Sequence, residues 1–119
     1  MQETETTTEL NPEDAASKVE AGAQLIDVRQ QYEWDAGHID GAVHLPLEKL
    51  PVRAAELDRD REIVVACRSG SRSAFVVAAL REAGFEAFNL AGGLQAWVAD
   101  GKPIEPDGGT VAGPLPDGR

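Results

Sequence analysis

The chain has 119 residues, of which 42% are hydrophobic, and this length and composition predict one domain around a single core. Eleven basic against 21 acidic residues give a formal net charge of -10, which disfavours nucleic acid and anionic membrane surfaces as partners. The single cysteine excludes an internal disulfide and a multi-cysteine zinc site. Because a lone thiol favours a reducing compartment, and neither a bilayer-spanning run nor a secretory signal is present, we expect a cytoplasmic protein.

The composition changes towards both termini. Residues 1–7 are polar, and residues 106–119 are rich in glycine and proline, so both stretches predict tails. The folded domain is therefore expected at residues 8–105.

Short apolar segments alternate with helical segments along this domain. A first helix is expected from Pro12, with Asn11 as its cap and Gly22 at its end. The apolar segments predict four strands, at 23–28, 41–45, 62–67 and 86–90. The intervening segments predict four more helices, at 30–37, at 47–57 with an interruption at Pro51, at 71–84 and at 93–101. This alternation is typical of an α/β fold with parallel strands joined by right-handed crossovers.

A ligand site in such a sheet is expected where the strands end. In open parallel sheets, ligands bind at the carboxyl ends of the strands. Three segments of this chain reach that edge, at 27–29, 67–72 and 91–93.

Cys67 is the candidate nucleophile at this edge. It directly follows the apolar residues 63–66, and the residues after it lead into a helix. Gly70 permits the backbone angles with which several N–H groups can converge on the thiol, while the helix start and Arg68 and Arg72 favour the thiolate. A free cysteine at a strand end is often only a small core residue. The polar, arginine-flanked segment that follows favours the functional interpretation.

Three segments of the sequence carry a resemblance to a known family. They are LIDVRQQYEWDAGHIDGAVHLP (25–46), CRSGSRS (67–73, below called the Cys67 loop) and GGLQAWVADGKP (92–103). In order and spacing they resemble the motifs of single-domain sulfurtransferases of the rhodanese type. The resemblance implies an α/β domain with a central parallel sheet of about five strands, helices on both faces, and Cys67 as the residue that carries sulfur.

The resemblance also implies a reaction that needs neither a metal nor an organic cofactor. The Cys67 thiolate would attack the outer sulfur of thiosulfate or of a persulfide donor, and would hold that sulfur until cyanide or a thiol, including the thiol of a partner protein, removes it. Backbone N–H groups of the loop would stabilise the anionic sulfur, as an oxyanion hole stabilises oxygen. The loop residues implied in binding are Arg68, Ser69, Gly70, Ser71, Arg72 and Ser73.

Several charged residues near the site have two interpretations. Arg68 and Arg72 could bind an anionic donor, or could remain as solvated or loop-anchoring charges. Asp27, Arg29 and Glu33 are expected to support the site structurally, with an ion pair between Arg29 and Glu33, which lie four residues apart at a helix start.

Two alternative functions use the same cysteine. A phosphatase or arsenate reductase also places a cysteine before a helix, but phosphatase loops of the tyrosine type have arginine six positions after the cysteine, where this chain has Ser73. Arsenate reduction by thiols usually recruits a second cysteine, which the chain lacks. A non-catalytic module that carries or binds a persulfide would need the same Cys67, and the sequence leaves this alternative open.

Overall fold

Five parallel strands form the central sheet of the computed structural model, which describes residues 8–111. The strands are β1 (Glu9–Leu10), β2 (Gln24–Asp27), β3 (Val43–His44), β4 (Ile63–Ala66) and β5 (Ala87–Leu90). They lie in the order β1-β5-β4-β2-β3, and every neighbouring pair is parallel. The predicted fold class and the implied number of strands are confirmed.

Helices connect the strands in alternation. They are α1 (Pro12–Glu20), α2 (Gln31–Ala36), α3 (Leu50–Arg53), α4 (Ser71–Glu82) and α5 (Gly93–Ala99). The predicted helix at 47–57 is instead a short α3 between two 3₁₀ turns, because Pro51 lacks an N–H group and can occupy only the first turn of a helix. None of the helices within residues 8–111 is long and apolar enough to cross a membrane.

The central strand β4 is buried on both faces. Ile63 and Val65 pack in one apolar cluster with side chains of α4, whereas Val64 and Ala66 pack in a second cluster with side chains of α1 and α5. This burial explains why the strand is a continuous apolar run rather than an alternating one. Cys67 continues the first cluster, so the thiol lies at the point where the core meets the carboxyl edge of the sheet.

The edge strand β1 was not predicted as a strand. It has only two residues, Glu9 and Leu10, which are paired in register with Asn89 and Leu90 of β5. Two residues are too few to show the alternating pattern by which a strand is recognised. Only the pairing with β5 defines this strand.

Part of the predicted C-terminal tail packs on the domain. The backbone N–H of Thr110 donates to the carbonyl of Ala36 at the end of α2, at 2.8 Å, and Val111 packs against the second apolar cluster. The rest of that predicted tail, residues 112–119, and the predicted N-terminal tail, residues 1–7, lie outside the described residues.

Candidate active site

The thiol of Cys67 lies against the backbone of the loop that follows β4. Its Sγ accepts the N–H group of Gly70 at 3.1 Å and that of Ser73 at 3.4 Å. Gly70 adopts a φ of 100°, which turns the chain so that α4 begins at Ser71. Cys67 is fully buried, at 0% exposure, so its sulfur is stabilised by fixed backbone dipoles and not by bulk water.

The start of α5 supports the Cys67 loop by donating hydrogen bonds to its first two carbonyl groups. The carbonyl of Cys67 accepts the N–H group of Leu94 at 2.9 Å, and the carbonyl of Arg68 accepts that of Gln95 at 3.1 Å. Gly93 makes this approach possible: its φ is 63°, and a Cβ at that position would meet both carbonyl oxygens far inside van der Waals contact. Glycine at position 93 is therefore a requirement of loop packing.

The two arginines of the loop have different surroundings. The guanidinium of Arg72 donates to both carboxylate oxygens of Glu33, each at 2.8 Å. The half-buried side chain of Arg68 makes no hydrogen bond or ion pair with any residue of the described range 8–111. Within that range, Arg68 is thus the loop arginine whose charge has no protein partner and can bind a ligand.

The comparison with known proteins places this geometry in a family. Residues 11–100 match the family of rhodanese-like domains. The chain belongs to this family. It is 43% identical over 88 residues to the Bacillus subtilis protein YtwF, named as a candidate sulfurtransferase, with 72% of this chain and 85% of that protein covered.

Two further comparisons support the assignment. The thiosulfate sulfurtransferase GlpE of Stutzerimonas stutzeri is 37% identical over 89 residues, with 74% of this chain and 82% of that protein covered. The crystal structure of a rhodanese-related protein from Thermoplasma volcanium superposes with a TM-score of 0.76 at 30% identity, and covers 81% of this chain and 95% of that chain. The rhodanese-like domain is accordingly a sulfurtransferase or a sulfur carrier.

The carboxylate of Glu33 is held in its charged form within the rhodanese-like domain. Burial by itself would raise the pKa of this carboxyl, but hydrogen bonds from Arg72 and from the N–H group of Gln30, together with the charges of Arg72 and Arg29, lower the pKa below its ordinary value. In turn, the hydrogen bonds to Glu33 raise the pKa of Arg72, although burial opposes the shift. Both Glu33 and Arg72 are therefore charged at neutral pH.

The predicted ion pair between Arg29 and Glu33 is wrong. Arg29 is fully buried and donates its Nε and Nη2 groups to Asp27, with contacts of 2.8 to 3.1 Å, and Nη2 also donates to the carbonyl of Gly37 at 2.7 Å. Asp27 ends β2 only two residues before Arg29, so its carboxylate is the nearest available partner. Glu33 is directed towards Arg72 instead.

Sequence analysis did not identify Asn89 or Glu9 as neighbours of the site. Asn89 is buried on β5; its Oδ1 accepts from the hydroxyl of Ser73, and its Nδ2 donates to the carbonyl of Gly70 at 3.1 Å and to Glu9 at 2.9 Å. Ser73 Oγ lies 3.3 Å from Cys67 Sγ. One feature of the sequence could have identified Asn89: it is the single polar residue in the apolar segment Ala87–Leu90. A buried asparagine needs hydrogen-bond partners for its amide group, which points to polar neighbours.

Both histidines are engaged away from the thiol. His38 Nδ1 lies 2.9 Å from the carbonyl of Trp34, His44 Nε2 lies 2.8 Å from the carbonyl of Arg29, and both rings stack on the indole of Trp34. Among residues 8–111, no three His, Cys, Asp or Glu side chains are grouped so as to hold a metal ion.

A separate apolar groove of about 710 Å³ runs between the segment 47–57 and α4. Phe75 and Val76 of α4 contribute to its wall, and Cys67 does not line it. The groove is therefore distinct from the site around the thiol.

Proposed function

We propose that this rhodanese-like domain transfers sulfane sulfur through a persulfide on Cys67. The observation that supports the proposal is the pair of backbone N–H groups, from Gly70 and Ser73, that point at Cys67 Sγ at the start of α4. Donors held in place before the reaction stabilise an anionic sulfur without reorganisation. They suit both the attacking thiolate and the thiolate released at the end of the cycle.

The first half-reaction loads the cysteine. The Cys67 thiolate attacks the outer sulfur of thiosulfate, the sulfur–sulfur bond of the donor breaks, and sulfite leaves with the electron pair of that bond. The outer sulfur keeps the negative charge that it carries in thiosulfate, so the new persulfide is anionic at its outer sulfur, and the charge of the nucleophile leaves with sulfite. In the second half-reaction, cyanide or a thiolate attacks this outer sulfur, and the electron pair of the persulfide bond returns to Cys67 as a thiolate.

Thiosulfate is the donor that the charges around the loop favour. The chain carries a net charge of -10, so a dianion approaches against the field of the whole molecule and needs a local cation. Arg68 supplies that cation, because Arg72 is occupied by Glu33. The name of the relative in Stutzerimonas stutzeri, a thiosulfate sulfurtransferase, agrees with this donor.

Intact-protein mass spectrometry after incubation with thiosulfate tests the proposal. The expected result is a gain of one sulfur atom that cyanide removes, with thiocyanate as the product. The variant Cys67→Ala is the control, since the chain has no second cysteine on which a persulfide could form. A wild-type protein that gains no sulfur from thiosulfate, or a control variant that still produces thiocyanate, contradicts the proposal.

Steady-state kinetics separate a transferase from a carrier. A transferase releases many equivalents of thiocyanate per protein when thiosulfate and cyanide are both in excess. A carrier that depends on a donor protein releases no more than one equivalent. The proposal requires the first result.

A further inference from the structure

The orientation of the Asn89 amide is determined by its neighbours. The carboxylate of Glu9 and the carbonyl of Gly70 only accept hydrogen bonds, so both must face Nδ2, which has two hydrogens to donate. With the amide reversed, its oxygen would face two other acceptors. Oδ1 therefore points at Ser73.

This orientation in turn determines where the hydroxyl hydrogen of Ser73 lies. Ser73 Oγ is 3.3 Å from Cys67 Sγ and 3.3 Å from the carbonyl oxygen of Gly70, and its shortest contact is with Asn89 Oδ1. A hydroxyl has one hydrogen. If that hydrogen pointed at sulfur, two oxygens would face each other across the shortest contact with no hydrogen between them. The hydrogen therefore lies on the side of Asn89.

We propose that Asn89 and Glu9 are positioning residues that withhold the hydroxyl hydrogen of Ser73 from Cys67. Ser73 then presents a lone pair to Sγ, which accepts from a thiol and repels a thiolate. Two backbone N–H groups favour the anionic sulfur, and the hydroxyl does not add a third donor. Asn89 and Glu9 thus restrain the reactivity of the free cysteine.

The restraint applies to the free thiolate. This inference takes the role of Cys67 from the proposed function. In that reaction, the persulfide carries its negative charge on the outer sulfur and not on Sγ. The lone pair of Ser73 therefore disfavours the thiolate only in the sulfur-free form of the site, which is the form in which Sγ itself can react with alkylating and oxidising reagents.

The rate of Cys67 alkylation by iodoacetamide at neutral pH tests the inference. Because this assay contains no sulfur donor, a failure of the inference is distinguishable from a failure of the proposed function. In Asn89→Leu the hydroxyl hydrogen is free to turn to sulfur, and the alkylation rate is expected to rise about threefold to tenfold. In a Ser73→Ala background the same substitution should change the rate by less than about twofold, because no hydroxyl remains to redirect. A loop merely displaced by the substitution would alter the rate in both backgrounds.

A surface substitution covers the case in which Asn89→Leu does not fold. In Glu9→Lys, the new ammonium group can only donate, so it draws the amide oxygen of Asn89 away from Ser73, and a rise of about threefold is expected. Glu13→Lys, at an exposed position of α1, makes the same change of charge and serves as the matched control. An unchanged or slower rate in both Asn89→Leu and Glu9→Lys, or a rise that persists in the Ser73→Ala background, overturns the inference.

Discussion

Glu33 and Arg72 join α2 to the first turn of α4 through two hydrogen bonds of 2.8 Å. Glu33 is buried, with 2% of its side chain exposed, whereas 34% of the Arg72 side chain is exposed. The pair fixes the Cys67 loop from the side of β2, opposite the support that α5 provides. Among the residues that the structure describes, it also leaves Arg68 as the loop arginine without an acidic partner.

The first prediction concerns the pH dependence of this ion pair. The fold lowers the pKa of Glu33 below the ordinary 4.5, so the pair stabilises the protein above that pH and the stabilisation is lost as the pH falls through the lower folded value. Glu33→Gln should lower the free energy of unfolding by about 1 to 2 kcal/mol at neutral pH, and by less in acid. Denaturant titrations between neutral and acid pH measure this difference, with Asp40→Asn, at an exposed position, as the control. A constant difference at all pH values would contradict the assignment.

The second prediction separates the two arginines. Arg68→Ala should raise the KM for the thiosulfate dianion by about tenfold, since it removes a charge that binds the anion. The effect on a thiosulfonate donor, which carries a single negative charge, should be clearly smaller. Arg72→Ala should reduce turnover of both donors to a similar extent, because it releases the loop from Glu33. Steady-state kinetics with the two donors measure the difference. The assignment of Arg68 fails if both donors suffer equally from Arg68→Ala.

The third prediction concerns the contact between α5 and the Cys67 loop. Gly93→Ala should cost at least about 2 kcal/mol of folding stability and reduce sulfur transfer more than about tenfold, because the new methyl group would displace the loop carbonyls. Gly22→Ala is the matched control, since Gly22 has a φ of 116° but has open space around its Cβ position. Strain alone should cost this control about 1 kcal/mol and leave transfer intact. Equal losses in both variants would show that the close contact has no special role.

The fourth prediction concerns the choice of sulfur over phosphate. The ring from Cys67 to Arg72 has six residues, and we expect the N–H groups of Arg68 to Ser73 to converge on one sulfur atom. The same donors should crowd a phosphoryl group with three outer oxygens, because stabilising donors must lie about 2.7 to 3.1 Å from the charge. We therefore expect no hydrolysis of aryl phosphates. One Gly inserted after Gly70 should abolish thiosulfate turnover, whereas one inserted after the exposed Gly108 should not. Efficient phosphatase activity, or full transfer by the first insertion variant, would favour the phosphatase alternative.

Local patterns in the sequence were sufficient for the fold class and for the position of Cys67 in the fold. The continuous apolar run Ile63–Ala66 shows a strand buried on both faces, and a polar glycine-containing segment after it shows a loop that leads into a helix. Cys67 lies between these two signals, so its place at the carboxyl edge of the sheet follows from neighbouring residues alone.

The partners of the charged and polar side chains were decided only by tertiary structure. Glu33 lies four residues from Arg29 in the chain but bonds Arg72, which is 39 residues away, whereas Arg29 is paired with the buried Asp27. Likewise, Asn89 reaches Glu9 across 80 residues through the pairing of β1 with β5. Sequence spacing predicts contacts along one helix or strand, whereas these contacts join different elements. Which partner each of these side chains binds depends on how the strands are ordered in the sheet and on which buried polar groups still need a partner.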